Sequence, residues 1–351
     1  CDNGDLVAAW FNTRSEIGRE MVTLTSRLRH GAKEWDKSRI FFAPADRNTT
    51  GVNLLNDGAG RLYLFNAIGE SSHHRDQCLV MSTSEDSGRE WTRPRIISNL
   101  DDRHKYTPMD AAFVTPDGEL VVAMDYAPIG HSANECGSGV FISPDRGQSW
   151  LDRVSTKGLP EVGQGMTDGL IAGFHPGIVQ LDDSRLMAYA RTGNIDQRMT
   201  KSLSDNMGKT WTYQRSEFPP IGGGQRLVLM RLIEGPILLV SFTDSRRRAG
   251  MTFADAGGRE FTGYGMFAAL SFDEGETWPV KKLLTTGGPA REVDGGGNTR
   301  MFSMDDTHAE PAGYLASTQT PDGVIHLISS RWHYRFNLAW LKTLNQLPAQ
   351  R

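Results

Sequence analysis

SFDEGETW, from Ser271 to Trp278, is the last of four versions of one phrase. The others are SEDSGREW (Ser84 to Trp91), SPDRGQSW (Ser143 to Trp150) and SDNMGKTW (Ser204 to Trp211). The shared pattern is Ser-x-Asp-x-Gly-x-x-Trp, with Asn206 standing for Asp in the third copy. From Trp to Trp the steps are 59, 61 and 67 residues, and a degenerate fifth copy ends at Trp35, 56 residues before Trp91. A phrase recurring at so long a period marks stacked supersecondary units, so the repeat decides the fold.

The phrase has the chemistry of a tight turn. Ser and Asp side chains bond nearby backbone amides, Gly takes the positive φ, and Trp anchors the turn on a neighbouring core. Its aspartates are therefore expected to serve folding rather than catalysis. Between the copies runs a second repeat of hairpin signals: Asp2–Gly4, Asp57-Gly58, Asp117-Gly118, Asp183-Ser184, Glu234-Gly235 and Asp322-Gly323. Each stands between apolar runs, as in AAFVT-PDGE-LVVAM and YLASTQT-PDG-VIHLIS. Six hairpins, most followed by a strand carrying the Ser/Asp/Trp turn, predict six similar sheets: an all-β, six-bladed β-propeller occupying residues 1–351 as one domain.

Composition fits. The chain has 351 residues, 38 of them Gly, and helical periodicity is weak throughout. A net charge of −4 argues against a nucleic-acid partner. No apolar run approaches the roughly 20 residues of a membrane span. Three cysteines (Cys1, Cys78, Cys136) do not make a disulfide framework. Blade one lacks an inner strand before Asp2, so either the N-terminus is trimmed or the segment after Leu341 helps close the ring. His73, His74 and Cys78 have no matching distal ligand pair, so no metal is expected. Gly222–Gly224 and Gly295–Gly297 lack the strand–helix setting of a nucleotide loop, and no cofactor is expected.

The hairpins and the Ser/Asp/Trp turns share one end of each blade, so functional side chains should come from the opposite end. Blade one offers Arg14, Glu16 and Glu20 there, blade two Asn53 and Asn66, and blade three Asp110, Asp125 and Tyr126. Blade four offers His175 in GFHPGIVQL, then Arg191 and Arg198. Blade five offers Gln225, Arg226 and the run Arg246, Arg247, Arg248; blade six offers Tyr314, Arg331, His333 and Tyr334. So many arginines at one end suggest an anionic ligand, because the guanidinium fork matches a carboxylate. Each residue also has a plainer reading: a solvated charge run at Arg246–Arg248, a hydrogen-bonded His175, a core Tyr314. The long segment from Thr285 to Ala312 has the length of a binding loop and carries Glu292 and Glu310.

Repeated Asp boxes, as these turns are known, on a six-bladed propeller resemble the sialidase superfamily, particularly bacterial sialidase-like proteins with BNR repeats, over nearly the whole chain. The resemblance implies a tyrosine nucleophile, the place taken by Tyr314 in GYLASTQTPDG; a neutral phenol is not repelled by a substrate carboxylate. It implies three carboxylate-binding arginines: Arg198 matches the second, one of Arg246–Arg248 the third, and the first belongs to the missing opening strand. It places the acid/base carboxylate after LVAAWF, at Glu16 or Glu20. Two departures stand out. No Glu occupies the inner strand of blade four, where sialidases keep the base that activates tyrosine, and His175 is the nearest polar group. The opening arginine motif is also absent.

Three functions follow as expectations. The first is an exo-acting hydrolase releasing a terminal acidic sugar, with Tyr314, Glu16, Glu20, His175 and Asp110 in catalysis. Arg14, Arg191, Arg198, Gln225, Arg226, Arg246, Arg248, Arg331 and Tyr334 would then bind substrate. The second is a lyase on uronic-acid glycans using His and Tyr. The third is a non-catalytic glycan-binding propeller. A glycan partner points to a secreted or periplasmic protein.

Overall fold

The computed structural model describes residues 1–13, 18–69, 77–98, 104–128, 137–154, 162–243, 249–297, 299–345 and 347, with 104–110, 127 and 128 by backbone alone. Contacts divide the chain into two compact units. The first comprises Cys1–Glu161, Asp168–Pro176 and Asn206–Trp211; the second comprises Val162–Thr167, Gly177–Asp205 and Thr212–Arg351.

Three antiparallel meanders form the first unit. Blade 1 is built from Leu6–Asn12, Val22–Leu28 and Arg39–Phe42. Blade 2 runs through Val52–Asn56, Leu62–Ile68, Cys78–Ser84 and Arg95–Ile96. Blade 3 runs through His104–Val114, Leu120–Pro128, Gly137–Ser143 and Leu151–Asp152. The second strands, LYLFNAI and LVVAMDYAP, are nearly unbroken apolar runs because both of their faces are covered. Tyr63, Phe65, Val122, Met124 and Phe141 meet in the core between these sheets.

Blade 4 contains Phe174–Gln180, Leu186–Ile195, Arg198–Ser204 and Trp211–Arg215, with Thr167–Asp168 added at its edge. Blade 5 is Val228–Arg231, Ile237–Phe242, Met266–Ser271 and Val280–Leu283. Blade 6 is Ala316–Gln319, Val324–Ile328 and His333–Asn337. The hairpin signals close as expected: the Leu232 amide donates to Pro236 O at 2.9 Å and the Thr320 amide to Val324 O at 2.9 Å. Six antiparallel meanders, two of them with three described strands, give the six-bladed β-propeller fold class.

The Asp boxes are the turns the sequence predicted. In the last copy Ser271 Oγ donates to Asp273 Oδ1 (2.9 Å) and accepts from the Gly275 amide (2.8 Å), while Asp273 Oδ1 accepts the Thr277 amide (2.8 Å). Glu274 and Gly275 have φ of 60° and 79°, and a Cβ at Gly275 would stand 2.5 Å from Met187 Sδ on blade 4, so only glycine fits. Trp278 is buried against Phe218, ring centroids 5.2 Å apart.

Three small additions complete the second unit. The segment after blade 5 forms a hairpin, Arg291–Asp294 with Met301–Met304. Another pairs Met251–Ala254 with Glu260–Gly263. A short helix, Leu338–Lys342, starts at Asn337, whose Oδ1 accepts the Trp340 amide at 2.8 Å. Beyond it Asn345 takes the Leu283 amide (2.9 Å) and donates to Leu283 O (3.0 Å), so the described end of the chain lies on blade 5.

Candidate active site

In the second unit two strand starts meet. Gln225–Arg226, ahead of blade 5, pairs in parallel with Gly313–Tyr314, ahead of blade 6: Gln225 lies opposite Gly313, and Arg226 opposite Tyr314. The Gly313 amide donates to Gly224 O at 2.8 Å. Gly313 has φ 150°, and a Cβ there would stand 3.3 Å from Glu310 Oε1 and 3.4 Å from Ser329 Cβ, which explains the glycine before the tyrosine. Gln225 is fully buried; its Oε1 accepts the Gly222 amide (2.9 Å) and its Nε2 donates to Pro311 O (3.0 Å).

This pairing brings two arginines to one phenol. Arg191 Nη1 donates to Tyr314 Oη at 3.3 Å and reaches Gln225 O at 3.5 Å. The Arg226 guanidinium lies over the Tyr314 ring, Cζ 4.6 Å from its centroid, a cation–π contact. Arg191 and Arg226 are 8% and 5% exposed, so both charges act where water screens them little. Arg191, Gln225, Arg226 and Tyr314, named separately from the sequence, thus form one cluster.

Beside Gly313 lies a second polar cluster around Glu310, which is wholly buried. Tyr334 Oη donates to Glu310 Oε2 at 2.6 Å, and Thr299 Oγ1 donates to Glu310 Oε1 at 3.2 Å. Burial pushes the Glu310 carboxyl up, against the opposing pull of the Tyr334, Ser329 and Thr299 hydroxyls. Burial, reinforced by the neighbouring carboxyl, also pushes the Tyr334 phenol up. Tyr334 therefore turns its hydroxyl inward, towards Glu310.

The remaining arginines of this unit stand elsewhere. Arg198 Nη1 donates to Glu217 O at 3.1 Å, and the arginine that reaches the phenol is Arg191, seven residues earlier. Arg331 is exposed and pairs with Asp294 of the hairpin at 2.9 Å.

In the first unit, His175 is held by Asp125. Its amide donates to Asp125 Oδ1 (2.6 Å), its ring Nδ1 lies 2.8 Å from Asp125 Oδ2, and Ser138 Oγ donates to the same carboxylate at 3.2 Å. His175 has φ 54°, a left-handed conformation costly for a residue with a Cβ and common at functional sites. The Asp125 carboxylate thus stands at ion-pair distance from the ring and also holds the strained backbone through the His175 amide. The sequence named both residues but not their pairing. Glu20 is exposed. Arg14, Glu16, Arg246 and Arg248, and the side chain of Asp110, lie outside the described residues. Among the described residues no group of three or more His, Cys, Asp or Glu could hold a metal.

The family described as "BNR repeat-like domain" matches residues 4–327. This chain belongs to that family. No curated protein sequence matches it. Among solved structures it is similar to the Hadza microbial sialidase Hz136, with 15% identity and a TM-score of 0.65 over 97% of this chain and 64% of that one. It is also similar to the intramolecular trans-sialidase of Ruminococcus gnavus, with 13% identity and a TM-score of 0.59 over 99% of this chain and 94% of that one. A sialidase of Trypanosoma rangeli aligns at 12% identity and a TM-score of 0.61, over 97% of this chain and 53% of that one. The BNR-repeat chain thus spans less than two thirds of Hz136, and these likenesses give its fold, a sialidase-type propeller.

Proposed function

We propose that this chain is a glycan-active enzyme of sialidase type, a glycoside hydrolase that removes a terminal acidic sugar. The observation supporting this reading is the Tyr314 hydroxyl, hydrogen-bonded by Arg191 with Arg226 stacked on the ring. A tyrosine nucleophile suits a substrate that carries its own carboxylate, since the phenol presents no like charge to it. In this reading the Tyr314 oxygen gives its proton to a base as it attacks the anomeric carbon, while the leaving oxygen takes a proton from an acid. Water then releases the sugar and regenerates the phenol. Arg191 orients the phenol oxygen, and the arginine forks receive the substrate carboxylate. Glu20, Glu16 and Asp110 are the candidate acids. The three solved structures named above are two sialidases and an intramolecular trans-sialidase, and a substrate on extracellular glycans fits a secreted or periplasmic protein. Among the described residues no helix is long and apolar enough to cross a membrane.

The His175–Asp125 pair favours one alternative. A carboxylate-oriented imidazole is a competent general base, and abstraction of a proton beside a uronate carboxylate would make the chain a lyase. A panel of sialosides and uronic-acid polysaccharides separates the two: a released saturated acidic sugar that has gained the elements of water supports hydrolysis, whereas an ultraviolet-absorbing unsaturated product supports elimination. Tyr314→Phe should lower hydrolytic turnover by about 10²-fold or more with little change in stability. Full turnover in that variant would overturn the tyrosine reading.

A further inference from the structure

We propose that Glu310 is the positioning residue of the Tyr314 site, a buried carboxylate that ties three separate segments together so that Gly313–Tyr314 is held in register with Gln225–Arg226. The inference rests on Tyr314 being the reacting group. Three anchors converge on the one residue. Its carbonyl takes the Met266 amide of blade 5 at 2.8 Å. Thr299 of the 291–304 hairpin shares its one hydroxyl hydrogen between Ala312 O at 2.7 Å, two residues before Tyr314, and Oε1 at 3.2 Å. Oε2 accepts Tyr334 from the last strand of blade 6. A Cβ at Gly313 would stand 3.3 Å from Oε1, so the strand start passes close beside the carboxyl and a larger residue there would press on it.

The group is costly to keep. A carboxyl with no exposed surface, bonded by hydroxyls, is an unfavourable place for a charge. The titratable group facing it is Tyr334; the other contacts are the Thr299 and Ser329 hydroxyls and the backbone at Gly313. Because burial raises the carboxyl above its unfolded value, its contribution to stability is fully present at acid pH and is lost as pH rises through the folded value. An uncharged side chain of the same shape should then fold at least as well at pH 8. A destabilising residue next to the strand start is what a site retained for activity presents.

The test is Glu310→Gln in the full chain, followed by thermal unfolding at pH 4 and pH 8, by kcat and KM on the substrate found in the panel, and by amide exchange of residues 312–315. The expected variant melts at or above wild type at pH 8, with the difference gone by pH 4. Its kcat is down by about 10-fold or more with KM within about 3-fold. Its Gly313 amide exchanges faster. Tyr334→Phe, which removes the donor and leaves the carboxyl, should speed the same exchange. Unchanged kcat together with unchanged exchange overturns the proposal, as does a kcat loss that only follows a lower melting temperature at pH 8. If Tyr314→Phe keeps full turnover, the reading of Tyr314 fails on its own. Exchange at Gly313 then decides Glu310: faster exchange in Glu310→Gln supports the tie, and no change overturns it.

Discussion

The Asp box at Ser271–Trp278 and the strand start at Gly313–Tyr314 both gather polar groups in the second unit, by opposite means. The box is self-contained: Ser271 donates to Asp273, and the two accept the Gly275 and Thr277 amides respectively, each bond spanning at most four residues, while Asp273 stays at the surface. The pattern recurs at Asp86 and Asp145, each bonded by the Ser two residues before it and by the amide four residues after it. The Tyr314 cluster occurs once, and its members are distant in sequence: Arg191 and Tyr314 are 123 residues apart. It also buries its charges. Polar groups repeated from blade to blade, satisfied locally and left wet, build turns; polar groups assembled once, from afar and out of water, are where chemistry is to be sought.

Variants can break that comparison. The largest effect after Tyr314→Phe is expected at Arg191. Arg191→Ala should weaken an anionic ligand by about 2–5 kcal/mol, as for truncating a buried charge contact, while Arg198→Ala changes binding much less. Titration calorimetry on both variants measures the gap, and equal losses would return the ligand fork to Arg198. Next comes the first unit. Asp125→Asn frees the His175 ring and should lower turnover by about 10-fold or more if His175 moves a proton, with KM nearly unchanged. A normal rate would leave His175 as a strained structural residue.

Asp273→Ala should do the reverse. It should cost about 1–2 kcal/mol for lost turn bonds and lower the melting temperature by a few degrees, while turnover per folded molecule holds. Full stability with lost turnover would break the division between turns and site.

Smallest is a pH effect in blade 6. His326 Nδ1 and His333 Nε2 face each other at 3.0 Å, and burial, then the His326 charge, lowers His333 to about 4. A depressed folded value makes its stabilising contribution full above the unfolded value of about 6.5 and lost as pH falls towards 4. His333→Phe should flatten the melting-temperature slope across that window, and an unchanged slope would contradict the assignment.

The fold was legible because its signal is local. Every box contains its own donors and acceptors, so four copies announce a repeated blade, and the six hairpin signals count the blades. Tyr314 and Arg226 were legible as single residues at strand starts. Their union was not, because it depends on a two-residue parallel pairing between segments 88 positions apart, Gln225 with Gly313 and Arg226 with Tyr314. Arg198 drew attention by its place before a box, yet the turn at Asp196 and Gln197, with φ of 49° and 62°, separates it from the strand that carries Arg191. Glu310 was visible only as an acidic residue of a long loop. Its hydroxyl partners come from three segments, and no pattern in the sequence ties Thr299, Ser329 and Tyr334 to it.

Trapping with a fluorinated acidic-sugar fluoride tests the central claim most directly. Attack by the Tyr314 oxygen would form a bond to the anomeric carbon and expel fluoride, and the ring fluorine would slow hydrolysis of the adduct. Peptide mapping by mass spectrometry should then find the sugar's mass on the peptide carrying Tyr314, and on none in Tyr314→Phe. An adduct on another residue, or turnover of acidic glycosides that survives Tyr314→Phe with no adduct, would contradict the account.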